Sequence, residues 1–112
     1  MSYVIVLMTA SNKQEAVSIV RVLLEEKLIA CANIVDSVSS FFWWQNKIDQ
    51  ENESLVLMKS KQSLFKKLSK RVKELHSYEV PEVIALPIVE GNKDYLQWIS
   101  DALTLRKKKG DL

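Results

Sequence analysis

The sequence predicts one α+β domain with the element order β-α-β-β-α-β and an extra C-terminal helix, on three observations. An apolar, β-branched run opens the chain at residues 3–9 (YVIVLMT). Two long stretches free of Gly and Pro flank the dipeptide Gln45-Asn46, which reads as a long hairpin. One segment before the hairpin and one after it repeat apolar residues at helical spacing. With 112 residues, 47% hydrophobic and 27% charged, the chain is the size of one domain, 1–105, with one modest core.

The run at 3–9 has no polar alternation, the pattern of a strand covered on both faces. Ser11 and Asn12 can each cap the next helix, with Gln14 and Glu15 at their third helical positions. Ala16, Val20, Leu23, Leu24 and Leu28 form its stripe. The hairpin arms run from Cys31 to Trp44 and from Lys47 to Lys59. Asn46 suits the left-handed turn position because its short polar side chain tolerates positive φ, and this sets Trp44 opposite Lys47 and Trp43 opposite Ile48. Ser60 is expected to begin the second helix, with Leu64, Phe65, Leu68, Val72 and Leu75 on its apolar side and lysines on the rest. Pro81 makes 76–81 a connector. A fourth strand follows at 83–89 (VIALPIV), where Pro87 points to an edge or a bulge. Gly91-Asn92 opens the last helix, with Tyr95, Leu96, Ile99, Ala102 and Leu103 on its buried side. This order is the split βαβ of ferredoxin-like folds.

The hairpin also predicts an oligomer. A strand of 14 residues spans roughly 45 Å, whereas a compact chain of this size has a radius of gyration near 13 Å, so the arms must bend sharply or overrun the domain. Phe41, Phe42, Trp43 and Trp44 sit near the tip, and alternation puts two on each face. One pair can be covered by its own subunit; the other needs a neighbour, because an exposed aromatic ribbon invites aggregation.

Charge and composition exclude several classes. A net charge of +2 is too small for a dedicated nucleic-acid binder, and much of it lies in the basic tail at 106–112, which reads as solvated. No run approaches the roughly 20 apolar residues that cross a bilayer. The strand begins without a charged leader, and Cys31 is the only cysteine, so a cytoplasmic location and no membrane partner are expected.

Four segments, VLMTAS at 6–11, EKLIACANI at 26–34, FFWWQNKI at 41–48 and HSYEVPEVIALPIVEGNKDYLQWI at 76–99, together resemble the CutA divalent-cation tolerance family. The resemblance implies a ferredoxin-like subunit, similar to that of the nitrogen-regulatory PII proteins, whose long hairpins lock a homotrimer. It also implies a non-enzymatic role in binding or tolerating divalent cations, with copper the first candidate as a non-obligatory cofactor. The alternative it leaves open is a PII-like signalling trimer that binds a small ligand at subunit clefts and acts on another protein.

His76, the only histidine, lies in HSYEVPE, matching the family's His-Pro-Tyr segment with Ser77 where proline is common. Imidazole suits Cu(II), Zn(II) or Ni(II). Some relatives offer copper a cysteine in strand 1 and a second histidine beside the first; here Met8 and Leu75 occupy those positions. His76 and Met8 are thus the candidate metal ligands, against a capping histidine and a core methionine. Cys31 is either a small buried hydrophobe or a thiolate ligand. Glu51 and Glu53 share one strand face, placed to bind a hard cation or, as favoured here, to pair with Lys59. By resemblance, Trp44, Glu51, Lys59, Tyr78, Glu79 and Tyr95, with Cys31, would gather at clefts between subunits.

Two other readings are discounted. An RNA-recognition module of this strand order stacks bases on aromatics of its first and third strands, which here read VIVLM and ESLVLMK. A hydrolase finds no Ser/His/Asp arrangement around one histidine and no Gly-rich phosphate loop.

Overall fold

A computed structural model describes residues 2–104; the basic tail expected at 106–112 lies outside the described residues. β1 spans Tyr3–Ala10, α1 Lys13–Glu25, β2 Cys31–Trp44, β3 Lys47–Lys61, α2 Phe65–Leu75, β4 Val83–Pro87 and α3 Lys93–Leu103. The strands form one antiparallel sheet in the order β2-β3-β1-β4, the ferredoxin-like arrangement, with α1 and α2 carrying the crossovers.

Of the two residues able to cap α1, Asn12 does so, its Oδ1 accepting the Glu15 N–H at 2.8 Å. Leu28, expected on the helical stripe, lies beyond the helix, because the chain leaves α1 through Lys27 at φ 60°. The Lys27 N–H donates to Leu24 O (3.1 Å) and the Leu28 N–H to Leu23 O (2.9 Å), a left-handed exit that turns Leu28 back into the core beside Leu23. A lysine there carries the Cβ clash that glycine lacks. Lys27→Gly should stabilise the fold by about 0.5–1 kcal/mol, read as a higher urea midpoint at constant slope. An unchanged midpoint would mean the turn holds no strain.

Ser60 does not begin α2. β3 continues to Lys61, which pairs with Tyr3, and the Ser60 hydroxyl is buried, donating to Leu28 O at 2.7 Å. A 3-10 turn at Gln62–Leu64 then leads into α2. β4 ends at Pro87, two residues early, although the Ile88 N–H still reaches Tyr3 O at 2.9 Å. As Pro87 implied, β4 is an edge strand.

The core lies between one face of the sheet and two helices: Val4, Val6 and Met8 of β1, Val56 and Met58 of β3, Ile19 and Leu23 of α1, and Leu68 and Val72 of α2. Arg71 ties the helices outside it by donating to the Glu26 carboxylate at 2.9 Å. α3 packs on the other face at the Tyr3 end, where Ile99 and Leu103 meet Ala30 and the Tyr3 and Ser100 hydroxyls bond at 2.6 Å. Tyr95, expected on the buried side of α3, is instead exposed and stacks on Trp98 at 5.6 Å.

The sequence predicts β1 covered on both faces, and the single subunit covers one. Beyond α3, the second face presents Ile5, Leu7, Leu55 and Leu57, all half-buried, bordered by Val35 at 44%, Ile84 at 49% and Leu86 at 47% exposure. These seven are neighbours by register: Ile5 opposes Leu86, Leu7 opposes both Leu57 and Ile84, and Val35 opposes Leu55.

The hairpin overruns the domain. It turns through Gln45 and Asn46, both at positive φ (51° and 65°), the two-residue geometry that matches strand twist, and it pairs Trp44 with Lys47 and Trp43 with Ile48 as expected. A register shift between Val35 and Val38 breaks the ladder midway. The molecule is 54 Å long with a radius of gyration of 15.4 Å, above the ~13 Å of a compact chain this size. The subunit was expected to cover one aromatic pair and effectively covers neither: Phe41 is 66%, Trp43 72% and Trp44 61% exposed, and Phe42 is at 36%.

Candidate functional site

The sequence-predicted site residues fall into three places, set by strand direction. Met8, His76, Tyr78 and Glu79 lie at or beside the C-terminal end of β1 and the connector after α2. Cys31, Lys59 and Tyr95 lie at the opposite end of the sheet, beside α3. Trp44 and Glu51 are exposed on the hairpin, with Glu51 opposite Ser40.

At the first place, three consecutive residues are fastened to three elements. His76 ends α2, its N–H donating to Val72 O at 2.8 Å. Its side chain is fully buried, with Nε2 2.7 Å from Thr9 O. Nδ1 accepts the Tyr78 N–H at 3.0 Å. A carbonyl can only accept and a backbone N–H can only donate, so the ring carries its proton on Nε2. The Ser77 N–H donates to Glu15 Oε2 at 2.7 Å, and the Tyr78 hydroxyl donates to Glu53 Oε2 at 2.7 Å. The Tyr78 ring lies 4.6 Å from the imidazole. Burial, the bond to Glu53 and the charges of Glu53, Glu15 and Glu51 all push the Tyr78 phenol upward, so it stays a donor.

Burial raises the Glu15 pKa, but hydrogen bonds from Ser77 and Ser11 outweigh it and hold the carboxyl at about 2 against an ordinary 4.5. The folded value lies below the unfolded one. The contribution to stability is therefore full above pH 4.5 and is lost as pH falls through about 2. Glu15→Gln should flatten the loss of stability over that window, followed by urea denaturation at stepped pH; an unchanged acid limb would contradict these contacts.

The expected pairing of Glu51 and Glu53 with Lys59 does not form. Six residues of strand place Glu53 about 20 Å from Lys59. Glu53 is instead bonded to Tyr78, and the Lys59 ammonium donates to Asn33 Oδ1 across the strand pair. Beside it, Cys31 is half-buried, with Sγ 3.3 Å from the Tyr95 hydroxyl. That contact, with burial, pushes the Tyr95 phenol up to about 12, so it keeps its proton at neutral pH. Glu79 is exposed beside a shallow cleft of about 160 Å³, which Lys73, Val80 and Pro81 also line.

A copper centre on His76 and Met8 does not fit this arrangement. Both imidazole nitrogens are already bonded, and the Met8 thioether is wholly inside the core. Among the described residues no group of three or more His, Cys, Asp or Glu side chains is placed to hold a metal ion. The bond from Ser77 to Glu15 and that from Tyr78 to Glu53 had no local signal, because the partners are 62 and 25 residues apart.

Comparison with known proteins agrees with the fold. A model of the CutA1 divalent ion tolerance protein family matches residues 4–102. The chain is 44% identical over 97 residues to the divalent-cation tolerance protein CutA of Thermus thermophilus, covering 87% of this chain and 94% of that relative. It is 40% identical over 99 residues to the chloroplastic protein CutA 1 of Oryza sativa, covering 88% of this chain but only 56% of that longer relative. The crystal structure of CutA1 from Oryza sativa superposes with a TM-score of 0.90 at 38% identity, covering 95% and 97% of the two chains. On sequence and on fold alike, the chain belongs to the CutA1 divalent ion tolerance protein family.

Proposed function

We propose that this chain works as a cytoplasmic, non-enzymatic homotrimer that binds divalent cations and confers tolerance to them, with cation binding a property of the assembly rather than of one subunit. The observation that carries the reading is the apolar surface left open on the second face of the sheet and along the hairpin. Seven aliphatic side chains that neighbour one another on the sheet and the aromatics of the tip leave apolar surface partly or largely exposed, the kind of surface that marks an interaction site. Copies of the same chain are its simplest cover, and family resemblance supports three of them. The Thermus relative's name as a divalent-cation tolerance protein supports the cation half. Within one subunit the only histidine is committed to hydrogen bonds, which is why the ion is assigned to donors brought together by assembly. Calorimetric titration of the purified protein with Cu²⁺, Zn²⁺ and Mn²⁺, with mass measured on the same sample, tests both halves. A trimer that takes up ions in a fixed ratio to chains is expected; a trimer inert to all three contradicts the cation role.

A further inference from the structure

We infer that His76 is a positioning residue and not a metal ligand: its ring clasps the 76–79 connector to the end of β1 and sets Tyr78 onto Glu53, so copper binding by this chain does not run through His76 or Met8. The inference deepens the cation reading above by excluding an imidazole–thioether centre, while the clasp itself stands without that reading.

Three observations support it independently. Both ring nitrogens have partners whose chemistry leaves no ambiguity, a carbonyl for Nε2 at 2.7 Å and a backbone N–H for Nδ1 at 3.0 Å. A metal on either nitrogen would have to displace one of these bonds and strand its buried partner. The ring is also enclosed: its side chain has no exposure, and Tyr78 lies against it at 4.6 Å. The proposed co-ligand is enclosed as well, since Met8 has 0% exposure among Val6, Val56 and Met58.

The clasp has a structural task that accounts for the histidine. The connector between α2 and β4 has no regular backbone pairing of its own. Four hydrogen bonds made by residues 76–78 replace it, from the His76 ring to Thr9 of β1, from the Ser77 N–H to Glu15 of α1, from the Tyr78 hydroxyl to Glu53 of β3, and from the Tyr78 N–H to the His76 ring within the connector. Imidazole serves because it donates and accepts at once in a fixed plane. Its carboxylate neighbours are Glu15, with Oε2 3.8 Å from Nδ1, and Glu53, reached through Tyr78.

The test uses the purified chain labelled with ¹⁵N. Long-range ¹⁵N–¹H spectra at neutral pH should show the His76 ring protonated on Nε2 only, and the ring signals should survive one equivalent of Cu²⁺ without paramagnetic loss. His76→Gln keeps a donor near Nε2 and removes the Nδ1 acceptor. It should melt lower than wild type and higher than His76→Ala, with copper affinity changed less than about tenfold, the smallest loss expected when even an outer-shell partner of a metal is removed. A proton on Nδ1, loss of the ring signals at stoichiometric copper, or a fall in copper affinity of about tenfold or more in folded His76→Gln would each overturn the inference. A protein that binds no cation would sink the proposed function instead, and the tautomer measurement would still decide the role of His76.

Discussion

If the proposed trimer is sealed by this face, Leu57→Asp should leave the chain as folded monomers. Leu57 lies at the middle of the open face, opposite Leu7 and Asn33, while the residues on either side of it in β3, Val56 and Met58, point into the core. The substitution therefore leaves the core untouched and puts a carboxylate where a neighbouring subunit would exclude water. Burying an unpaired charge costs several kcal/mol per ion after relaxation, and a homotrimer would carry that cost three times. The mass by light scattering should drop to one chain while the far-ultraviolet circular dichroism stays unchanged. Leu57→Asp protein that remains trimeric would show that this face is not the interface.

Met8→Ala should strongly destabilise the subunit itself. Met8 is fully buried between Val56 and Val83 in register, so truncation removes transfer energy and leaves a cavity, together about 2–5 kcal/mol. Met8→Leu nearly conserves volume and should cost less than about 1.5 kcal/mol. The pair separates packing from metal chemistry, because leucine has no sulfur. Equal copper binding in Met8→Leu and wild type is expected alongside the large difference in urea midpoint between the leucine and alanine variants. Copper binding lost in Met8→Leu would restore the thioether as a ligand.

Much of the fold was legible because its signals are local. Helical spacing of apolar residues located α1, α2 and α3, apolar runs located β1 and β4, and stretches free of Gly and Pro located β2 and β3. Gln45-Asn46, the turn between two unbroken arms, fixed the register through Trp44 and Lys47. The failures have physical reasons. Ser60 looks like a cap because serine caps helices, yet the same hydroxyl can enter the core if a carbonyl is waiting, and Leu28 O is. The end of α1 is hidden because Lys27 takes a conformation that usually advertises itself as glycine. The unbroken apolar character of β1 calls for cover on both faces, and the single subunit leaves Ile5 and Leu7 on the second face only half-buried.

The candidate site was less legible. His76 and Met8 were singled out by donor type, which says what a side chain can bind and not what already occupies it. The contacts that decide the matter, Thr9 with His76, Glu15 with Ser77 and Glu53 with Tyr78, join residues far apart in the chain. Glu53 and Lys59 illustrate the same point in reverse: opposite charges on one strand face suggested a pair, and strand rise alone keeps them apart.

On the proposed reading, the open sheet face and the overlong hairpin are covered by copies of this chain. Sedimentation velocity on the purified protein at low micromolar concentration tests it most directly. One species of three times the chain mass is expected; a monomer, or any other mass, would refute the cover by three copies.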